Sequence, residues 1–380
     1  MQFTSKLPDV STTIFTVMST MAHEHDAINL AQGFPGFEID ATLKRLANQA
    51  MQDGYNQYAP MPGIFSLRKK LTEKINTLYG SDYHPETDIT ITAGATQAIY
   101  TVIATFIHPD DEVIVFKPAY DCYEPAIELH GGKVIPIQME APDYKVDWSE
   151  VKKAMTSKTK MVIINSPHNP TGTILSEQDM LQLETLLTGT DIILLSDEVY
   201  EHIIFDNEPH QSVARFPELR ARSFITASFG KTFHVTGWKM GYAVAPKELM
   251  EEFRKVHQFN VFSLNHPTQK AFATYLETPS HYLELGEFYQ KKRDLFLGAL
   301  QGSRFKMQPS AGTYFQMLDY SQISDMGDIA FAKALTTKHK IASIPTSVFN
   351  LNQKDYKMLR FCFAKDDDVL LKAAEILNIL

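Results

Sequence analysis

From Ile89 onward, short apolar runs alternate with helical patterns. The runs fall at 89–92, 112–116, 134–137, 161–165, 192–196, 223–227 and 241–245, and helical patterns begin near 95, 121, 147, 176 and 247. This alternation predicts an α/β fold with a mostly parallel sheet and right-handed crossovers. Ligands in such sheets gather at the carboxyl ends of the strands, so the residues just past each run are where chemistry is expected. After residue 246 the pattern changes. Helices are predicted over 247–258, 267–277 and 282–300, the last long enough to bridge two domains. Short strands follow near 304–307 and 313–318, then a helix over 328–338, a strand over 357–363 and a closing helix. Upstream, a helix starts in 13–18, and two more are predicted over 41–52 and 64–78. The second carries Leu67, Leu71, Ile75 and Leu78 on one face. The expected organisation is a large domain over 43–279 and a small α/β domain over 280–380, which the N-terminal segment 1–42 joins.

Bulk properties narrow the function classes. A chain of 380 residues that is 44% hydrophobic can bury a large core. Its formal charge of −9 argues against non-specific nucleic-acid binding, because a phosphate backbone would be repelled. Cys122 and Cys362 are the only cysteines and stand far apart, which argues against a disulfide framework or a zinc site and fits a reducing compartment. Residues 1–10 lack the charged start and apolar core of a signal peptide. No apolar run approaches the roughly 20 residues that span a bilayer. A soluble, cytoplasmic protein with no metal, no nucleic-acid partner and no membrane partner is expected.

The stretch Ser228-Phe229-Gly230-Lys231-Thr232 follows the run 223–227, and Gly237-Trp238-Lys239-Met240-Gly241 leads into the next. Lys231 therefore sits just past a core strand, among small residues, where an amine can be kept out of water and partly neutral. A nucleophile toward an aldehyde needs that state. Thr92-Ala93-Gly94-Ala95-Thr96-Gln97 ends a strand and opens a helix, whose free N–H groups suit an anion. Tyr120 follows the run 112–116 and offers a ring for stacking. Asn165-Ser166-Pro167-His168-Asn169-Pro170 fixes the backbone so that the Asn169 amide is available to an oxygen, with His168 a weaker candidate base. Asp197 ends a fully apolar strand, which is costly without a cationic partner; a protonated ring nitrogen is one, and Tyr200 shares its face. Arg360, inside Met358-Leu359-Arg360-Phe361-Cys362-Phe363, has the planar fork that suits a carboxylate. Each residue has a structural alternative: core aromatic, helix cap, surface lysine, internal ion pair. Together they describe a site for a phosphorylated aromatic aldehyde and an amino acid, which means pyridoxal 5′-phosphate (PLP).

At these residues the chain resembles the fold-type-I, PLP-dependent aminotransferases of class I. The segments 165–172, 196–200, 228–241 and 360–363 carry the likeness, which spans nearly the whole chain. Within the class it is most similar to the branch of kynurenine aminotransferases, glutamine transaminase K and bacterial methionine aminotransferases, through Asn29-Leu30-Ala31-Gln32-Gly33-Phe34-Pro35 and Asn56-Gln57-Tyr58. The resemblance implies a large domain with a seven-stranded sheet whose last strand is antiparallel. It implies that Lys231 bonds the cofactor aldehyde and shuttles the substrate α-proton. Asp197 would keep the ring nitrogen protonated, Asn169 and Tyr200 would bond the ring oxygen, and Tyr120 would stack on the ring. Ala95, Thr96, Ser228 and Lys239 would hold the phosphate, with Tyr58 reaching it from the second subunit of a homodimer. Arg360 would clamp the substrate carboxylate, assisted by Gly33 and Asn169, and Phe15 would line the side-chain pocket. The phosphate turn Gly94-Ala95-Thr96 departs from relatives that carry a second glycine or a tyrosine there, a change that backbone donors tolerate.

The implied reaction is ping-pong transfer of an α-amino group to a 2-oxo acid. No second arginine is evident for a distal carboxylate, since Arg254 lies beside Glu251 and Glu252 on an expected surface helix. A neutral donor such as methionine, glutamine or an aromatic amino acid is therefore expected. β-Elimination from cysteine conjugates would use the same residues and stays open. A non-catalytic PLP sensor would need a DNA-binding module that the expected organisation leaves no room for.

Overall fold

The computed structural model describes residues 4–8 and 10–380. Residues 1–3 and 9, which belong to the expected N-terminal segment and to the stretch read for a signal peptide, lie outside the described residues. Among the described residues twelve strands follow in order: β1 (Ile28–Asn29), β2 (Ile89–Thr92), β3 (Glu112–Lys117), β4 (Lys133–Gln138), β5 (Thr159–Asn165), β6 (Ile193–Asp197), β7 (Ser223–Ser228), β8 (Gly241–Val244), β9 (Phe315–Asp319), β10 (Ile341–Ala342), β11 (Ile344–Pro345) and β12 (Met358–Cys362). Seven form one sheet in the order β2-β8-β7-β6-β5-β3-β4. All its neighbours are parallel except β8, which runs antiparallel to both β2 and β7.

The central runs of β3, β5 and β6 are apolar on both sides because both faces of the sheet are covered there. Ile114, Val162, Ile164 and Leu194 face one core, with Leu67, Leu71 and Phe272. Val113, Val115, Ile163 and Leu195 face the other, with Ala98, Val102 and Phe253. A third core surrounds the antiparallel sheet β11-β12-β9 and draws on Met18, Tyr289, Phe296, Leu335 and Leu370 from the flanking helices. The N-terminal segment joins this part of the molecule through β1, which pairs with β10.

Four local expectations are corrected. The helix predicted over 282–300 is two, Ser280–Leu283 and Leu285–Ala299. Gly286, just past the break, lies against the Ile204 carbonyl, where a Cβ would come within 2.8 Å. The strand predicted near 304–307 is a single bridge of Lys306 to Asp319. Leu78 is exposed at the end of helix Phe65–Tyr79, while the next residue, Tyr79, turns inward to Glu201. Arg254 does not stand free on a surface helix, because it bonds Thr90 Oγ1 and the carbonyls of Glu86 and Ile89, tying its helix to β2.

The segment after β6 is anchored by buried charge. Glu201 accepts from Lys74 Nζ at 2.6 Å, Tyr242 Oη at 2.7 Å and Tyr79 Oη at 2.9 Å. Glu198 accepts from Ser196 Oγ at 2.8 Å and from the Val213 N–H at 3.1 Å, and bonds His210 Nε2 at 2.8 Å. The backbone carrying Asp197 and Tyr200 is thus held from behind at two points. Removing one partner of a buried pair strands the other charge. Lys74→Met is expected to lower unfolding free energy by about 3–5 kcal/mol, read by urea denaturation.

Candidate active site

Parallel pairing puts the carboxyl ends of neighbouring strands side by side. Asn165 pairs with Asp197, and Asp197 with Thr226. Because β8 is antiparallel, its first residue, Gly241, lies at this same rim and pairs with both Thr92 and Ser228. Lys239 is thereby delivered beside the start of helix Gly94–Phe106. The approach is close: a Cβ on Gly241 would lie 2.4 Å from the Ala227 carbonyl oxygen and 3.0 Å from Ala95 N, so only glycine lets the strand and the helix start meet.

The resulting cleft encloses about 130 Å³ and is lined by Ala95, Thr96, Tyr120, Asn169, Asp197, Tyr200, Ser228, Lys231 and Lys239 among others. A larger cleft of about 1450 Å³ lies on the other side of the 165–175 turn, but Lys231 and Asp197 are absent from its walls. Helix Gly94–Phe106 has no side-chain cap, which leaves the N–H groups of its first turn available. Lys239 Nζ reaches Thr96 Oγ1 at 3.4 Å, and Thr96 Oγ1 stands 3.5 Å from Tyr120 Oη. These groups fit an anion such as a phosphate.

Asp197 is buried and accepts from Tyr123 Oη at 2.6 Å and from the Val199 N–H at 3.3 Å. Burial raises its pKa to about 6 against those two bonds. Lys231 Nζ donates to Tyr314 Oη at 2.9 Å and to the Gly33 carbonyl at 3.1 Å. Burial pulls its pKa down to about 8, and the positive charges of Arg360 and Lys239 act in the same direction. Arg360 stands behind the cleft wall, 1% exposed. Its Nη1 donates to Asn169 Oδ1 at 2.8 Å and its Nη2 to the Ala31 carbonyl at 3.0 Å, while its buried Nε has no partner among the described residues. The guanidinium carbon lies 3.9 Å from the Phe315 ring centroid and 5.1 Å from that of Phe15. Among the described residues, Lys231, Asp197 and Arg360 form no ion pair. An aromatic cation facing Asp197, a phosphate at the helix start and a carboxylate at Arg360 would meet these needs, so the donor set fits PLP and an amino acid.

The structure therefore brings Ala95, Thr96, Tyr120, Asn169, Asp197, Tyr200, Ser228, Lys231 and Lys239 together, with Gly33, Phe15 and Arg360 adjacent. Tyr58 is not among them. It is 82% exposed and packs edge-on against Phe262. His168 faces away as a buried base, bonded to Thr171 Oγ1 at 2.7 Å, and burial lowers its pKa to about 4. Three residues gain roles that sequence reading did not give them. Tyr123 bonds Asp197. Asn165 donates to the Asp197 carbonyl at 2.9 Å and accepts from Asn169 N at 2.8 Å. Tyr314 bonds Lys231. Only Asn165 carried a signal, its place in the same turn as Asn169.

The amine of Lys231 in cofactor-free protein is expected to gain reactivity toward an acylating reagent with a midpoint near pH 8. An exposed lysine has its midpoint at about 10.4. Lys239→Ala removes a repelling charge and should move the midpoint upward in site-resolved labelling.

Comparison with known proteins bears on this geometry. The family model for aminotransferase class I and II matches residues 25–377. The chain is 47% identical over 378 residues to a methionine aminotransferase of Escherichia coli, covering 99% of this chain and 98% of that protein. A crystal structure of an E. coli protein identified with a methionine aminotransferase function superposes with a TM-score of 0.98 at 46% identity over the full length of both chains. A kynurenine–oxoglutarate transaminase of Dictyostelium discoideum is 32% identical, over 95% of this chain and 92% of its own.

Proposed function

The chain belongs to the aminotransferase class I and II family, and from that premise we propose that it moves the α-amino group of a neutral amino acid to a 2-oxo acid, using PLP. The observation that carries this reading is the trio of half-buried Lys231 and buried Asp197 and Arg360, each without an ion-pair partner among the described residues. Members of the family use PLP, which when bound supplies an aldehyde that bonds amines and a ring that withdraws electrons once its nitrogen is protonated.

Asp197 is the group that holds a proton at that nitrogen, and Tyr123 and Val199 keep its carboxylate aimed. The N–H groups of Ala95 and Thr96, with Ser228 and Lys239, bind the phosphate, and Tyr120 packs on the ring. Asn169 has two tasks at once. Its oxygen accepts from Arg360, which leaves its amide hydrogens to donate to the ring oxygen beside the Tyr200 hydroxyl. Arg360 binds the substrate α-carboxylate with the N–H groups it does not use internally, and Gly33 and Phe15 border that place. Lys231, kept partly neutral at ordinary pH, takes the proton from the substrate α-carbon and returns it. Methionine, glutamine and aromatic amino acids are the donors we favour, since the cleft offers no second arginine for a distal carboxylate, and the likeness to methionine aminotransferase agrees.

The same reading assigns residues 43–279 and 280–380 to two domains, with 1–42 completing the second. Each sheet of three or more strands falls within one of these spans. It takes the working unit as a homodimer in which Tyr58 serves the partner's site. The exposed Tyr58, Phe259 and Phe262 supply apolar surface for that contact. A reducing, cytoplasmic setting suits the free Cys122 and Cys362. No helix among the described residues is long and apolar enough to cross a membrane.

Protein purified with PLP should be yellow, and Lys231→Ala should lose both the colour and more than 99.9% of turnover, on the order expected for removal of a catalytic nucleophile and base. Arg360→Ala should raise KM for the amino donor roughly 10- to 100-fold, the worth of lost charge-assisted bonds. Across a donor panel, high turnover with aspartate and none with methionine would contradict the specificity.

A further inference from the structure

Lys231 Nζ, the Tyr314 hydroxyl and the Gly33 carbonyl form a closed triangle. Lys231 Nζ reaches Tyr314 Oη at 2.9 Å and Gly33 O at 3.1 Å, and Tyr314 Oη reaches Gly33 O at 2.6 Å. The Tyr200 hydroxyl also neighbours the Tyr314 hydroxyl, but the 2.6 Å contact to Gly33 O places the phenol hydrogen there and so fixes the directions within the triangle. A carbonyl only accepts, so the phenol must spend its single hydrogen on Gly33 O. Tyr314 then has only lone pairs to offer Lys231, and the amine must donate both bonds. A neutral amine has two N–H groups and one lone pair. With both hydrogens bound to Tyr314 and Gly33, the lone pair is what remains.

The triangle is rigid. Tyr314 is fully buried, and its ring packs edge-on to Tyr200 at 5.2 Å and against Phe315 and Tyr289 at 5.0 and 5.5 Å. Its carbonyl accepts from Phe363 N at 3.0 Å, which ties it to the chain just after β12. Burial pushes the phenol pKa well above its ordinary value, so the hydroxyl keeps its hydrogen through neutral and mildly alkaline pH. Gly33 is held equally closely, since a Cβ there would meet Phe315 Cζ at 2.8 Å. The three corners come from the N-terminal segment, the helical turn Phe229–Thr232 after β7 and the residue just before β9.

We propose that Tyr314 is a further catalytic residue: together with the Gly33 carbonyl it binds both hydrogens of the free Lys231 amine and turns the lone pair toward the cleft. The amine then meets an aldehyde, or a proton on the substrate α-carbon, with its bonding orbital already presented. This deepens the function proposed above and rests on Lys231 being the reacting amine.

The test is Tyr314→Phe, which deletes one oxygen. The readout is the rate at which cofactor-free protein captures added PLP, followed by absorbance, alongside steady-state kinetics. Loss of one acceptor should slow capture about three- to tenfold. It should lower kcat by a similar factor and leave KM for the amino donor within about twofold, since nothing that binds the substrate carboxylate is touched. Capture and kcat at wild-type values in a folded Tyr314→Phe protein would overturn the proposal. An equal rise in KM without loss of capture rate would also overturn it, because it would point to general loosening of the site. If Tyr314→Phe does not fold, a fluorinated tyrosine at the same position keeps the shape with a weaker acceptor. It should slow capture to a smaller extent, and an unchanged rate would count against the proposal. Wild-type protein that captures no PLP, or captures it equally well as Lys231→Ala, would instead refute the underlying function.

Discussion

Burying an isolated charge in a protein interior costs several kcal/mol unless something meets it. This protein places an amine and a carboxylate at one rim of its large sheet, sets a guanidinium from the small sheet beside them, and gives none of them an ion-pair partner among the described residues. The response of each group is visible. Lys231 moves toward neutrality, Asp197 toward protonation, and Arg360 leaves an Nε–H without a partner among the described residues. The arrangement is strained as an isolated chain and relaxed with a ligand that brings a ring cation and carboxylates. Such unmet groups are where binding energy is available for chemistry.

The rest of the fold serves to keep these groups apart and aimed. Parallel pairing of β5, β6 and β7 sets Asn165, Asp197 and Thr226 in one row. The reversal at β8 brings Lys239 to the same edge without a crossover. Behind the row, Glu198 and Glu201 fasten the segment that carries Asp197 and Tyr200, each with three partners. These buried pairs serve placement more than stability, since well-packed apolar residues could fill the same space at little cost.

Much of this was legible in the residues. Seven mainly apolar runs bounded by turn residues gave the sheet, because both faces of its central strands are covered. Lys231, Asp197 and Asn169 stood out because polar residues directly after such runs must lie at the rim. Arg360 stood out as a charge inside an apolar strand. Tyr314 and Tyr123 were not legible. Each is an aromatic among aromatics, and only the packing of distant segments shows that its hydroxyl meets Lys231 or Asp197. The split of the helix near Glu284 was hidden for a similar reason, since the close approach of Gly286 to Ile204 is tertiary. Tyr58 was read by resemblance alone, and in the single chain it points to solvent.

The pairing of Asp197 with a ring cation is the centre of the account, and nitrogen NMR of PLP labelled at its ring nitrogen tests it most directly. In the wild-type complex the shift should be that of a protonated pyridine nitrogen across neutral pH, and in Asp197→Asn that of an unprotonated one. A ring nitrogen that is unprotonated in the wild type, or protonated equally in both proteins, would contradict it.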